Sequence, residues 1–227
     1  YDANLWLQPG DGGELRQLTR SVRYDAYPRL SPDGGRVLYQ TNRDGPESLY
    51  LLDLASGTET RLPLDPAMRW AQPAWSPDGQ QLTLTRYANG DATSNSAPLV
   101  DLWHYSIGSN APTRLTSAPP HAHDAQFDPD GKHAWARVGQ ERVARLVRFR
   151  LDGSGAPLTR AEIVEHYQID RQGLFLVKEG DPRLFHCADP VAPACTASTL
   201  TLSAAHRRNW AIADGAIYAV TDGDDGA

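Results

Sequence analysis

Several kinds of residue are scarce in this sequence. Only two cysteines and two lysines occur among its 227 residues. The longest apolar runs, such as SLYLLDL at 48–54, are far shorter than the roughly 18 residues that a membrane-spanning helix needs. The formal net charge is -6, and no block of lysine and arginine is present to neutralise a run of phosphates. We therefore expect no nucleic-acid partner, and membrane association only through further parts of a longer parent chain.

Sequence signatures of catalysis and of metal binding are also missing. A serine peptidase of the α/β-hydrolase type needs a GxSxG turn between a strand and a helix, and the sequence has neither that motif nor a sustained helical period. The segment PPHAHD brings His121, His123 and Asp124 together, but we interpret it as a solvated loop that precedes a strand. The strings DPDGK and DGDDG lack the spacing of a calcium loop. We expect no enzymatic activity, no metal and no cofactor.

The two cysteines, Cys187 and Cys195, flank a loop rich in proline and alanine between two strand-like segments. They could face each other across a hairpin and form a disulfide, which would stabilise the fold by about 2 to 3 kcal/mol by restricting the unfolded chain. Two reduced thiols in a loop are the alternative. A disulfide would indicate an oxidising compartment, so a periplasmic location is expected.

Internal repetition is the strongest pattern in the chain. The turn SPDG occurs at 31–34 and again at 76–79, and a close variant, DPDG, occurs at 128–131. Weaker copies end at Gly173 and Gly215. The spacing indicates five copies of one unit of roughly 45 residues, which is the length range of propeller and solenoid repeats.

Each unit has the pattern of four short strands. In the best copy, apolar and polar residues alternate in four runs, at 27–31, 36–42, 48–54 and 59–64, and turn residues separate the runs. In the first turn, proline presets φ and glycine takes the left-handed position that reverses the chain. Four antiparallel strands in a unit of this length predict the blade of a β-propeller, and a solenoid is the main alternative.

The predicted fold class is all-β, a β-propeller of four-stranded antiparallel blades in one domain over 1–227. The blades are predicted at about 25–64, 70–116, 123–159 and 163–203, with a composite blade made of 206–227 and 1–19. The chain opens on a segment typical of third and fourth strands and stops after a segment typical of first and second strands. It therefore predicts either five blades, with both termini sharing one blade, or a fragment of a six- to eight-bladed ring.

The stretch YPRLSPDGGRVLYQTNRDGPESLYLLDLASGTETRL resembles the repeat of TolB-type propellers, which are related to WD repeats. Such blades occur in TolB, in the propellers of prolyl-oligopeptidase-type peptidases and in periplasmic sensor domains of CadC-like membrane transcriptional regulators. The hairpin RLFHC…ACT is most similar to the last group. The resemblance implies a non-enzymatic periplasmic binding or sensing module, such as the sensor domain of a membrane transcriptional regulator. The alternatives are the substrate-gating propeller of a serine peptidase and a Tol-Pal type partner-binding propeller.

The connections between successive units differ most in sequence, for example TSAPPHAHD at 116–124 and TRAEIVEHY at 159–167. In propellers these connections meet around the mouth of the central channel, where ligands and partners dock. Counting back from each turn gives one equivalent residue per unit: Tyr27, Gln72, Asp124, His166 and Arg207, or Arg208 if the last unit is shifted by one. We expect these side chains either to bind a protein, a peptide or a polar small ligand, or to be solvated loop residues without a ligand.

Overall fold

The computed structural model describes residues 3–9, 12–45, 47–88, 99–116, 121–140, 143–202, 210–213 and 216–219. Within these ranges the chain forms β-strands, and no helix there is long and apolar enough to cross a membrane. The strands are β1 (Trp6–Leu7), β2 (Arg16–Gln17), β3 (Asp25–Leu30), β4 (Arg36–Thr41), β5 (Ser48–Asp53), β6 (Glu59–Arg61), β7 (Arg69–Trp75), β8 (Gln81–Ala88), β9 (Leu99–Ser106), β10 (Thr113–Arg114), β11 (Ala122–Phe127), β12 (His133–Val138), β13 (Arg145–Arg150), β14 (Leu158–Asp170), β15 (Gly173–Lys178), β16 (Arg183–Cys187), β17 (Thr196–Thr201), β18 (Trp210–Ala213) and β19 (Ala216–Ala219).

Strands that follow one another in the sequence are neighbours in the sheets. β3 to β6 form one four-stranded sheet and β7 to β10 form another, while β11 to β17 follow in order through a seven-stranded sheet. β1 pairs with β2 and β18 pairs with β19 in two-stranded sheets. Neighbouring strands pair in the antiparallel sense, as in β4 with β5 and in β8 with β9. The predicted all-β class with four-stranded antiparallel units is confirmed.

The repeated turn has the predicted chemistry. Gly34 and Gly79 have φ values of 71° and 66°, in the left-handed region that favours glycine. The N–H of Gly34 donates to the carbonyl of Ser31 at 2.9 Å and closes the turn. Bonds from the Ser31 hydroxyl and from the Gly35 N–H lower the pKa of Asp33. The turn therefore joins the first and second strands of a unit through local bonds alone.

One predicted connection is wrong. The segment 159–167 was expected to be a loop between blades, but β14 runs through it without interruption. The N–H of Val164 donates to the carbonyl of Ala144 at 2.9 Å, and the Val164 side chain is fully buried. β14 pairs with β13 as far as Ile163 and with β15 from Val164 onward. The connection is therefore a strand that passes from one set of partners to the next, because Val164 and Tyr167 at its centre are fully buried.

The chain divides into two compact units. The first unit comprises Tyr1–Pro119 and His123–Ala125, and the second comprises Pro120–Ala122 and Gln126–Ala227. Each unit has its own apolar core, built mainly from the second and third strands of the blades. The core of the first unit includes Leu38, Leu49, Trp70, Leu82, Leu84 and Tyr105, and that of the second includes Trp135, Leu146, Tyr167, Leu174 and Leu176.

The predicted disulfide joins Cys187 at the end of β16 to Cys195 immediately before β17. The loop that it closes surrounds the guanidinium of Arg160. That guanidinium donates to the carbonyls of Pro190 and Ala192, at 2.8 Å and 2.7 Å, and lies 3.0 Å from the Sγ atom of Cys195. The hairpin is thus held by one covalent bond and by a buried cation.

Candidate functional site

Three of the residues predicted to be equivalent share an uncommon backbone conformation. Tyr27, Gln72 and Asp124 have φ values of 53°, 50° and 56°, and within the described ranges they are the non-glycine residues with positive φ. A side chain in this region costs about 1 to 2 kcal/mol per residue. Counting back from the turns therefore located one backbone feature that recurs in three successive sequence repeats.

Irregular strand pairing accompanies this conformation. The register between β3 and β4 shifts between Ala26 and Arg29, and the register between β7 and β8 shifts between Ala71 and Ala74. In both strands a proline follows the left-handed residue, and proline has no N–H to donate to a ladder. Such bulges bend a strand and re-aim its side chains, which gives Tyr27 its high exposure of 58%.

Tyr27 is part of an aromatic pair. Its ring meets the ring of Tyr24 edge-on, with the centroids 6.2 Å apart. Burial raises the pKa of the Tyr24 hydroxyl to about 12, and the hydrogen bond with Tyr27 acts in the same direction. The charges of Glu47 and Arg69 act on the same hydroxyl in opposite senses. Tyr24 thus stays protonated and keeps a hydroxyl that can donate a hydrogen bond.

Arg69 links the tyrosine pair to the next strand. Its Nε donates to the Oε2 of Glu47 at 2.9 Å, and the same carboxylate oxygen accepts from the amide of Gln40 at 2.7 Å. The guanidinium also lies over the ring of Tyr87, 5.0 Å from the centroid. Arg69 is therefore oriented by a carboxylate and an aromatic face together, a geometry in which its planar group is preorganised.

Gln72 and Asp124 are brought together within the first unit. The Oε1 of Gln72 accepts from the N–H of Asp124 at 3.0 Å and from the hydroxyl of Tyr87 at 3.3 Å. The amide of Gln72, an exposed residue of β7, therefore positions the backbone of Asp124 and the hydroxyl of Tyr87. We call the residues of this region the bulge surface: Tyr24, Tyr27, Arg69, Gln72, Tyr87 and Asp124.

The prediction that His123 and Asp124 lie in a loop is wrong. Both residues lie in β11, which begins at Ala122. The fully buried side chains of Ala122 and Ala125 on this strand explain its place in the sheet. Among the described residues, no three His, Cys, Asp or Glu side chains are grouped so that they could hold a metal ion.

His166, a further predicted site residue, falls in the second unit. His166 lies in β14, next to a register shift between Val164 and His166, so the bulge recurs there without a positive φ. Its ring meets the ring of Trp210 edge-on at 5.1 Å. Arg207 and its alternative Arg208 lie outside the described residues.

The sequence reasoning missed a pair of glutamines that join successive first strands in the second unit. Each glutamine amide donates to one backbone carbonyl and accepts from the N–H two residues further on, so it replaces a rung of a β-ladder. The two sets are Gln126 with Tyr167 O (3.0 Å) and Ile169 N (3.2 Å), and Gln168 with Trp210 O (2.6 Å) and Ile212 N (2.9 Å). Their equal distance from the following turn was the signal that could have identified them.

No family model matches the chain. Among curated proteins it is 35% identical over 83 residues to the Tol-Pal system protein TolB of Desulfotalea psychrophila, covering 35% of this chain and 19% of that protein. It is 31% identical over 84 residues to Tricorn protease homolog 1 of Streptomyces coelicolor, covering 37% of this chain and 8% of that protein. The chain thus spans less than a fifth of either relative.

Solved structures agree on the fold. TolB from Acinetobacter baumannii superposes with a TM-score of 0.63 at 19% identity, over 88% of this chain and 50% of that one. A prolyl endopeptidase superposes with a TM-score of 0.70 at 14% identity, over 95% of this chain and 36% of that one. The chain has the fold of a TolB-like β-propeller, and propellers of peptidases are among its neighbours.

Proposed function

We propose that this TolB-like propeller chain is a non-enzymatic binding or sensing module of the periplasm, which takes a protein, a peptide or a polar ligand at the bulge surface. The observation that carries the proposal is the left-handed backbone of Tyr27, Gln72 and Asp124. Glycine would occupy such positions without strain. Strain of about 1 to 3 kcal/mol at a non-glycine residue is typical of functional sites, where the side chain itself is needed.

The chemistry of the bulge surface suits recognition. Tyr27 is exposed, and Arg69 holds its guanidinium against Tyr87 while its side chain stays 57% exposed. Tyrosine and arginine are enriched at interface hot spots because they combine a large apolar area with directed hydrogen bonds. The hydrogen bonds of Tyr87 with Gln72 and of Arg69 with Glu47 reduce the conformational entropy that binding would otherwise cost.

The disulfide between Cys187 and Cys195 supports a periplasmic location, because disulfides persist in oxidising compartments. One relative is named as the TolB protein of a Tol-Pal system. Within this proposal, the finer role is that of a sensor domain in a membrane transcriptional regulator. An upstream winged helix followed by one membrane span in the full gene product would support that role.

Photocrosslinking tests the bulge surface directly. A photoreactive phenylalanine analogue is placed at Tyr27 in the full-length protein in its native host, and the matched control carries it at Val191, which is also exposed. We expect an adduct from position 27 whose yield falls when Arg69→Ala is added. Equal adducts from both positions, or no effect of Arg69→Ala, would count against the proposal.

A second candidate function is that of the substrate-gating propeller of a prolyl-oligopeptidase-type serine peptidase. The prolyl endopeptidase neighbour, at a TM-score of 0.70, favours it. Labelling of the full-length protein with a fluorophosphonate probe separates the two functions, because the probe reacts with an activated serine nucleophile. Labelling would favour the peptidase, and its absence together with the crosslink at Tyr27 would favour the binding module.

A further inference from the structure

A separate cleft of about 560 Å³ lies in the first unit, beside the segment that connects β2 to β3. We call three of its lining residues, Arg20, Val22 and Arg23, the wall of the cleft, and we call Arg43 and Glu59, which also line it, the base. None of these residues belongs to the bulge surface. The volume falls within the range of about 300 to 1,000 Å³ that is usual for ligand sites.

The base of the cleft is fixed, and together with the buried partner Asp25 its charges sum to one negative charge. The guanidinium of Arg43 forms ion pairs with the carboxylates of Glu59 and Asp25, and its Nη2 donates to the Tyr39 hydroxyl at 2.8 Å. The ring of Tyr50 lies 4.9 Å from the same group. Arg43 is thus held on several sides and is a fixed lining residue of the cleft.

Hydrogen bonds from backbone N–H groups hold the wall in place and leave its larger side chains exposed to solvent. The Oδ1 of Asn4 accepts from the N–H of Ser21 at 2.8 Å, and the Ser21 hydroxyl accepts from the N–H of Arg23 at 3.0 Å. These bonds order the segment without using any of the larger side chains. Arg20 and Arg23 are exposed, and Val22 between them is 84% exposed.

The charges of the wall are not balanced. Within the described part of the chain, neither Arg20 nor Arg23 has a carboxylate within ion-pair distance. The cleft therefore carries two positive charges that remain available, in a chain whose formal net charge is -6. A guanidinium recognises a carboxylate through two parallel hydrogen bonds. An exposed valine between two such groups adds an apolar contact.

We infer that this cleft binds an acidic peptide segment of a partner protein, with carboxylates on Arg20 and Arg23 and an aliphatic side chain on Val22. A nucleic acid or an anionic bilayer is disfavoured, because two unpaired cations neutralise too few of the charges of a large polyanion. A simple anion would use the arginines but would gain nothing from Val22 or from the apolar Leu18 nearby.

Fluorescence anisotropy with a labelled peptide that alternates glutamate and leucine tests the inference on the 227-residue chain. We expect the double variant Arg20→Glu with Arg23→Glu to raise the Kd by at least tenfold, because each charge-assisted bond contributes about that factor. The matched control is Arg145→Glu with Arg171→Glu, which makes the same charge change at exposed arginines of the second unit. The control should leave the Kd within about twofold.

Three further measurements make the result decisive. Val22→Ser should raise the Kd of the peptide several-fold, since it removes apolar contact while leaving the charge unchanged. Millimolar inorganic phosphate and vesicles of anionic lipid should displace the peptide poorly. No peptide binding, an equal loss in the control variant, or displacement by phosphate or by vesicles as effective as by unlabelled peptide would overturn the inference. Circular dichroism and thermal midpoints of all variants establish that they are folded.

Discussion

Replacing Tyr27 by glycine and by alanine separates backbone strain from side-chain contact. Both changes remove the ring and its edge-on contact with Tyr24, so that loss cancels between them. Alanine keeps the left-handed strain at φ 53°, which costs about 1 to 2 kcal/mol. Glycine relieves that strain but loses about 0.5 to 1 kcal/mol of unfolded-state entropy relative to alanine. Tyr27→Gly should therefore be more stable than Tyr27→Ala by about 0.5 to 1 kcal/mol.

The matched control is an exposed position in a regular strand, where the order should be reversed. Thr60 in β6 is exposed and pairs with Leu51. There we expect Thr60→Gly to be less stable than Thr60→Ala by about 0.5 to 1 kcal/mol. Urea unfolding, followed by tryptophan fluorescence and by circular dichroism, gives the free energy of unfolding and shows whether the two probes agree. Equal or greater stability of Tyr27→Ala would refute the reasoning about strain.

Three other predictions concern the second unit. Gln168→Ala should lower the free energy of unfolding by about 1 to 3 kcal/mol, because two backbone groups lose their partner. The control Gln172→Ala, at an exposed turn, should change that free energy by less than about 0.5 kcal/mol. Equal urea midpoints for the two variants would contradict this prediction. After the disulfide is reduced, Arg160→Met should slow the alkylation of Cys195 by iodoacetamide, because the guanidinium 3.0 Å from the sulfur favours the thiolate. An unchanged rate of labelling would count against this prediction. The hydrogen bond from Arg183 lowers the pKa of Asp181 to about 2, so the Asp181 carboxylate stabilises the fold above its unfolded pKa near 4 and this contribution is lost as the pH falls toward 2. Asp181→Asn should therefore flatten the plot of the unfolding midpoint against pH between about 4 and 2. An unaltered slope in Asp181→Asn would refute the assignment.

The turn spacing was enough to predict strands and equivalent positions. Proline, aspartate and glycine act locally, so the turns at Gly34 and Gly79 could be recognised from the sequence. Counting from these turns led to Tyr27 and Gln72, because the same number of residues separates the bulge from the turn in each sequence repeat. The bulge itself was not predicted, since neither tyrosine nor glutamine favours positive φ and only the surrounding sheet imposes it.

Other features depended on contacts between distant segments. The course of β14 through 158–170 follows from burial of Val164 against β13 and β15, which local sequence does not report. The cleft depends on Arg43, whose carboxylate partners Asp25 and Glu59 lie 18 and 16 residues away along the chain. Such pairings need the fold before they can be assigned, whereas the disulfide hairpin could be predicted because Cys187 and Cys195 are close in sequence.

The central claim is that the side chain at Tyr27 is kept for binding at the expense of stability. The most direct measurement is the affinity of the partner captured at position 27 for the wild-type protein, for Tyr27→Gly and for Tyr27→Phe, beside the stability of each. We predict a loss of affinity of tenfold or more in Tyr27→Gly, which corresponds to about 1.4 kcal/mol, although its backbone strain is relieved. Tyr27→Phe should lose less, because it keeps the ring. Unchanged affinity in Tyr27→Gly would contradict the claim.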